Sequence, residues 1–126
     1  FFYVAKPDGG ERNRGMEDDE AMGAGEMTGG RKEGSAGLNS PSAGAGRTAG
    51  SQNFHPTVKP VDLMAYLIQL VTPRTGIILD PFFGSGTTGI GAARLGYNFI
   101  GIELNPAYIK IAQKRIAAEL AQEKMF

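Results

Sequence analysis

The chain of 126 residues has no cysteine, no tryptophan and a single histidine. Without thiols there is no disulfide framework and no thiolate metal site, and one imidazole gives little basis for a zinc site built from protein ligands. No metal is expected. Neither sign of charge is in excess, since 13 Lys and Arg balance 13 Asp and Glu, so charge alone announces no nucleic-acid surface. No apolar run approaches the roughly 20 residues of a membrane span, and the apolar start at residues 1–5 is too short for a signal-peptide core. The expectation is a cytoplasmic protein without a membrane partner.

What is present is unevenly distributed. Phe1-Phe2-Tyr3-Val4-Ala5 is aromatic and branched and stops at Lys6-Pro7-Asp8-Gly9-Gly10, so residues 1–7 read as one strand of a sheet completed elsewhere. Residues 8–53 hold the acid run Glu17-Asp18-Asp19-Glu20 and many glycines and serines, with neither helical nor alternating apolar periodicity from Glu11 to Ser51. Such a stretch buries too little apolar surface to offset about 1 to 2 kcal/mol of chain entropy per ordered residue, and it is expected to be a flexible linker or loop.

Residues 54–126 carry the periodic signals. Pro56 and Pro60 stiffen Phe54-His55-Pro56-Thr57-Val58-Lys59-Pro60, and Pro60 is placed to open a helix. Val61, Met64, Leu67, Ile68 and Val71 follow at helical spacing until Pro73 and Gly76. Ile77-Ile78-Leu79 is a continuous apolar run suited to a strand buried in a parallel sheet. A helix from Gly84 to Leu95, closed by Gly96, then leads to a second strand from Phe99 to Ile102 that ends at Glu103. Asn105 suits the N-cap and Pro106 the first position of a last helix reaching about Lys124, with Ile109, Ala112, Ile116 and Leu120 on its inward face. The pattern is a βαβ unit with flanking helices, an α/β, Rossmann-like fold in part. Two parallel strands cannot cover themselves, so the chain reads as a piece of something larger.

Gly84-Ser85-Gly86-Thr87-Thr88-Gly89 matches G-x-G-x-x-G between strand and helix. Glu103 lies about twenty residues further on at the end of the next strand, where a carboxylate can accept both hydroxyls of a ribose. Gly84 and Gly86 would let the backbone approach a ligand; the same glycines also fit a tight turn that only lets helix and strand pack. Asp80, at the strand end before the turn, would repel a pyrophosphate and suits a cationic ligand; its other reading is a carboxylate that only hydrogen-bonds loop amides. S-adenosylmethionine combines a nucleoside with an ammonium, a sulfonium and a carboxylate that the helix end could receive.

Preceded by His55-Pro56-Thr57-Val58-Lys59-Pro60 and followed by Gly101-Ile102-Glu103-Leu104-Asn105-Pro106-Ala107-Tyr108, the block Asp80-Pro81-Phe82-Phe83-Gly84-Ser85-Gly86-Thr87-Thr88 resembles the carboxyl-terminal half of DNA amino-methyltransferases. The order of the three blocks is that of the permuted class whose catalytic half comes first, and Phe1 to Lys6 with Glu11-Arg12 resembles the preceding segment of phage-type members. The resemblance implies an S-adenosylmethionine-dependent methyltransferase fold, with residues 54–126 as its cofactor-binding half, and methyl transfer to adenine N6 or cytosine N4 of DNA. It implies that Asp80, Pro81, Phe82, Gly84, Ser85 and Gly86 line the methionine end, with Thr87 and Thr88 near its carboxylate. Glu103 would take the ribose, Leu104, Asn105 and Pro106 would flank the adenine, and Lys59 with Thr57 would approach from the other side. Lys59 also reads as an exposed lysine without a ligand, and His55 as a structural loop residue.

The catalytic tetrapeptide of the resembled family, an Asp, Asn or Ser followed by Pro-Pro and an aromatic, does not occur in this chain. No catalytic residue is therefore assigned, and DNA is expected to be engaged through an upstream half. Methyl transfer depends on holding an amine in line with the methyl group, so a cofactor half alone should bind without turnover. Two other readings stand beside this one. An NAD-binding module of an oxidoreductase rests on the same glycines and Glu103, and a non-enzymatic remnant would use its glycine-rich segment and exposed core side for association.

Overall fold

In the computed structural model the described residues are 6–23 and 50–123. Residues 1–5 of the strand expected at 1–7, most of the expected linker, and Lys124, where the last helix is expected to end, lie outside them.

Asp8 accepts the Glu11 amide at 2.7 Å and so starts a short helix, α1, Gly9–Asn13. Helix α2, Val61–Val71, follows Pro60, which occupies the N-cap position and brings no side-chain acceptor. The amide of Val61 is taken instead by the Glu11 carboxylate, 2.6 Å away across fifty residues of sequence. Strand β1, Ile77–Asp80, helix α3, Thr87–Arg94, and strand β2, Asn98–Gly101, form a parallel βαβ unit that pairs Ile77 with Asn98 through Asp80 with Gly101. Helix α4, Pro106–Glu123, returns against α3, which packs between α2 and α4. The Asn105 side chain accepts the Ala107 amide at 2.9 Å, so cap and proline stand where the sequence puts them. The α/β expectation holds, as a partial unit with a two-stranded parallel sheet.

One face of that sheet is covered. Ile78 is buried with Ile68 of α2 and Ala92 of α3, and Leu95, Tyr97 and Phe99 pack around them. Ile77, Leu79 and Ile100 are 64%, 62% and 54% exposed. The continuous apolar run predicts cover on both sides; α2 and α3 share one side, and no described element lies on the other.

The inward face of α4 also differs from its apolar pattern. Ile111, Ala112, Arg115 and Glu119 are buried, whereas Ile109 and Leu120 stay more than a third exposed. Two charged side chains occupy inward positions, and both are given partners. Glu119 accepts from Arg94 of α3 at 2.7 Å and from Arg14 at 3.3 Å, and Arg94 reaches Asp62 of α2 at 2.9 Å. One buried carboxylate between two guanidiniums thus ties three helices to the segment after α1.

The described ends of the stretch read as a linker, 8–23 and 50–53, are ordered against this frame. Asn53, with no exposed surface, donates to the Arg12 carbonyl at 2.9 Å and accepts the His55 amide at 3.1 Å. Arg12 returns hydrogen bonds to the carbonyls of Asn53 and His55. Asn13 accepts from the Ser51 hydroxyl and the Asn53 amide. Met22 and Ser51 exchange two antiparallel bonds at 3.1 Å, and Met16 is buried. Polar side chains do this ordering, which is why apolar periodicity does not register it.

Phe83 locks the sheet to the turn above it. Its ring stacks on Phe99 with centroids 5.8 Å apart, over glycines whose missing side chains make the room. A Cβ on Gly89 would lie 2.6 Å from the ring tip, and one on Gly101 would collide with its base. Gly101→Ala should lower stability by about 1 to 3 kcal/mol in chemical denaturation. Adding Phe83→Ala should absorb most of that loss in a double-mutant cycle; strictly additive losses would show that ring and glycine do not compete for one space.

Candidate cofactor site

The site is built where β1 and β2 end. The Asp80 carbonyl accepts the Ile102 amide at 2.9 Å and the Ile102 carbonyl accepts the Phe83 amide at 2.9 Å, so pairing runs on past the strands and holds the two following turns side by side. Asp80 Oδ1 accepts the Phe82 amide at 3.0 Å and its Oδ2 accepts the Thr88 hydroxyl at 2.6 Å. Gly84 and Gly86 have φ of +52° and +79°, where a Cβ is disfavoured, and this reversal brings the unpaired amides of the α3 N-terminus to the end of β1.

Glu103 joins the turns. Its Oε2 accepts the Gly84 amide at 2.9 Å and its Oε1 accepts the Asn105 amide at 2.8 Å. The Asn105 amide, with that of Gly84 behind it, holds the carboxyl below its ordinary value. Each oxygen keeps a further lone pair for a ligand. Phe82 and Leu104, one on each turn, are 89% and 96% exposed, and Pro81, Asn105 and Pro106 are exposed beside them. Asp80, Phe82, Gly84, Thr88, Glu103 and Asn105 are thus linked by hydrogen bonds into one rim. The side chains of Thr57 and Lys59 make no hydrogen bond to that rim among the described residues. Their segment reaches it through His55, which accepts the Thr57 amide at 3.3 Å and lies in the field of Lys59.

The glycines make room for other parts of the chain. A Cβ at Gly84 would lie 2.6 Å from His55 Nε2, and one at Gly86 would lie 2.7 Å from Ala112 of α4. Their side-chain directions are filled by His55 and α4. His55, whose ring also meets Tyr108 edge-on at 4.6 Å, is therefore a structural wall of the turn. Burial pushes its imidazole below its ordinary value, against the opposing pull of Glu103.

Sequence reasoning missed Arg115. This α4 side chain is 1% exposed and lies beneath the turn. Its Nη1 donates to the Ser85 carbonyl at 2.8 Å, the Ser85 hydroxyl at 3.2 Å and the Thr87 hydroxyl at 3.3 Å, and its Nη2 donates to the Glu11 carbonyl at 3.3 Å. The one available signal was its position, three residues after Ala112 and four before Glu119 on a single helical face.

A family model described as DNA methylase, of the N6/N4 class, matches residues 30–114. The chain belongs to this DNA methylase family. Among its relatives, the Type II methyltransferase M2.DpnII of Streptococcus pneumoniae is 54% identical over 65 residues, which cover 52% of this chain and 24% of the relative. The Type II methyltransferase M2.LlaDCHI of Lactococcus lactis subsp. cremoris is 52% identical over 62 residues, 49% of this chain and 23% of the relative. The chain thus spans about a quarter of the length of the curated relatives it matches. Similar solved structures include an M1.HpyAVI–SAM complex, 49% identical over 48% of this chain and 30% of that one, with a TM-score of 0.47. Another is the cytosine-N4-specific PvuII DNA methyltransferase, 33% identical over 48% of this chain and 22% of that one, with a TM-score of 0.46. Membership in the DNA methylase family leaves the NAD-binding alternative without support.

The wall of the turn carries a pH signature. The folded chain disfavours protonated His55, so the unfolded chain takes up more protons below the ordinary histidine value of 6.5, and stability falls as pH drops through that value. The depressed carboxyls of Glu103 and Glu119 contribute only below their ordinary 4.5. Thermal melts should therefore show a loss of stability between pH 6.5 and 4.5 that His55→Asn removes, although that variant starts from a lower melting temperature. An unchanged slope in the variant would exclude His55 as its source.

Proposed function

We propose that this chain is the cofactor-binding part of an S-adenosylmethionine-dependent DNA methyltransferase that modifies adenine N6 or cytosine N4. The observation that carries this reading is the pair of carboxylates at the ends of adjacent parallel strands, Asp80 and Glu103, set about the α3 N-terminus within a chain of the DNA methylase family. When bound, S-adenosylmethionine supplies a methyl group made electrophilic by its sulfonium. The residues present suit that ligand. Glu103 has lone pairs free for two ribose hydroxyls, and Leu104, Asn105 and Pro106 offer an exposed surface beside it for the adenine.

Asp80 places negative charge where the ammonium and sulfonium end would lie, with Pro81, Phe82, Gly84, Ser85 and Gly86 along that side. The Thr88 proton is committed to Asp80, which leaves Thr87 for the ligand carboxylate. Lys59 and Thr57 approach from across His55. A pyrophosphate fits this rim poorly, because Asp80 would oppose it.

The base to be methylated needs an acceptor for its amino protons and an aromatic to stack on, and the Pro-Pro-aromatic tetrapeptide that resembles such a device in the family is not among these residues. In this reading DNA is held by the remainder of a longer enzyme, while this part holds the methyl donor in line. No described helix is long and apolar enough to cross a membrane, and the reading places the enzyme in the cytoplasm.

Isothermal titration of the full chain should detect S-adenosylhomocysteine and should not detect NADH. Glu103→Ala should weaken S-adenosylhomocysteine by about tenfold or more. Absence of binding, or binding indifferent to Glu103→Ala, would sink the assignment.

A further inference from the structure

Arg115 is a buried cation with no carboxylate in contact among the described residues, although Glu11 and Glu119 lie in its field. A guanidinium is always charged, donates through five N–H groups and accepts nothing. Here its four hydrogen bonds all go to neutral oxygens, the carbonyls of Ser85 and Glu11 and the hydroxyls of Ser85 and Thr87. Its Nε is buried with no hydrogen-bond partner among the described residues. No salt bridge within 4 Å reaches it among the described residues, whereas Glu119, one turn further along α4, is held by two arginines. Burial lowers the affinity of Arg115 for its proton to about 10, which still leaves it charged at neutral pH. Desolvating such a charge without a carboxylate in contact is costly unless something nearby gains from it.

The two hydroxyls show what gains. Ser85 and Thr87 accept from Arg115, and among the described residues neither hydroxyl donates to any acceptor. Thr88, the next residue, differs in having given its proton to Asp80. A donor-only partner below Ser85 and Thr87, which are 3% and 7% exposed, occupies their lone pairs and leaves two protons without a described acceptor. The first amides of α3 have no acceptor within the helix, and the positive end of that helix adds to the field of the guanidinium.

Resting on the cofactor reading above, we propose that Arg115 is a positioning residue that makes the Ser85–Thr87 turn selective for the anionic carboxylate end of its ligand. Arg115 does not touch the ligand. It fixes which way the two hydroxyls donate and supplies a positive charge poorly screened by water.

The test compares two ligands that differ only in that carboxylate, S-adenosylhomocysteine and its decarboxylated analogue S-adenosyl-3-thiopropylamine, by isothermal titration of the full chain. The unmodified chain should prefer S-adenosylhomocysteine. Arg115→Met should weaken S-adenosylhomocysteine by about tenfold or more and the amine by less than about twofold, with Arg115→Lys between, because it keeps the charge and loses the fork. Thr87→Val leaves Arg115 in place and should produce the same one-sided loss, so it decides the matter if Arg115→Met no longer melts cooperatively. Equal losses for both ligands, or no loss in Thr87→Val, would overturn the proposal and leave Arg115 as a packing residue. Binding of the amine as tight as that of S-adenosylhomocysteine by the unmodified chain would also overturn it while leaving the cofactor reading intact. Binding of neither ligand would overturn both.

Discussion

Two parallel strands end in two unrelated turns, and a single carboxylate makes them one surface. Glu103 accepts an amide from each turn, at 2.9 Å from Gly84 and 2.8 Å from Asn105. Without it the glycine turn after β1 and the cap of α4 after β2 would be joined only by the main-chain bonds that continue the strands. Everything proposed for the rim, from the exposed Leu104 to the placement of the α3 amides, depends on that registration. The charge is stabilised by the amides it binds, so one interaction both shapes the rim and keeps it anionic.

The packing beneath the rim explains why the turn is so rich in glycine. His55 fills the space over Gly84, α4 the space over Gly86, and Phe83 with Phe99 the space over Gly89. Three neighbours from three parts of the chain come closer than any side chain would allow. The turn is therefore held in place by its own packing, and preorganisation of this kind reduces the ordering cost of binding.

Much of this was legible in the sequence because it is local. The βαβ order follows from an apolar run, a glycine turn and a second run, and the Asn105-Pro106 start of α4 follows from capping chemistry. The acids at both strand ends were visible as positions in a pattern. What was not legible is made by polar side chains acting over long separations. Asn53 with Arg12 and Asn13, and Glu11 with Val61, leave no periodic trace, and they order a stretch whose composition argues for a loop. Arg115 and Glu119 counted as polar in the reading of α4 and so rotated its apparent inner face away from the real one. A buried charge looks in sequence like an exposed one, and only its partners tell them apart.

The ties between the two sides of the long glycine-rich stretch have a consequence for how such a chain can vary. Glu11, Arg12 and Asn13 on one side are bonded directly to Ser51, Asn53, His55 and Val61 on the other. Ties between Asn13 and Ser51 and between Asn13 and Asn53 close the chain between them into a ring. Loop-closure entropy grows only with the logarithm of length, about 0.6 kcal/mol for each doubling. Stability is therefore expected to respond more to a change at a tie such as Asn53, which has no exposed surface, than to the length of the chain that the ties enclose.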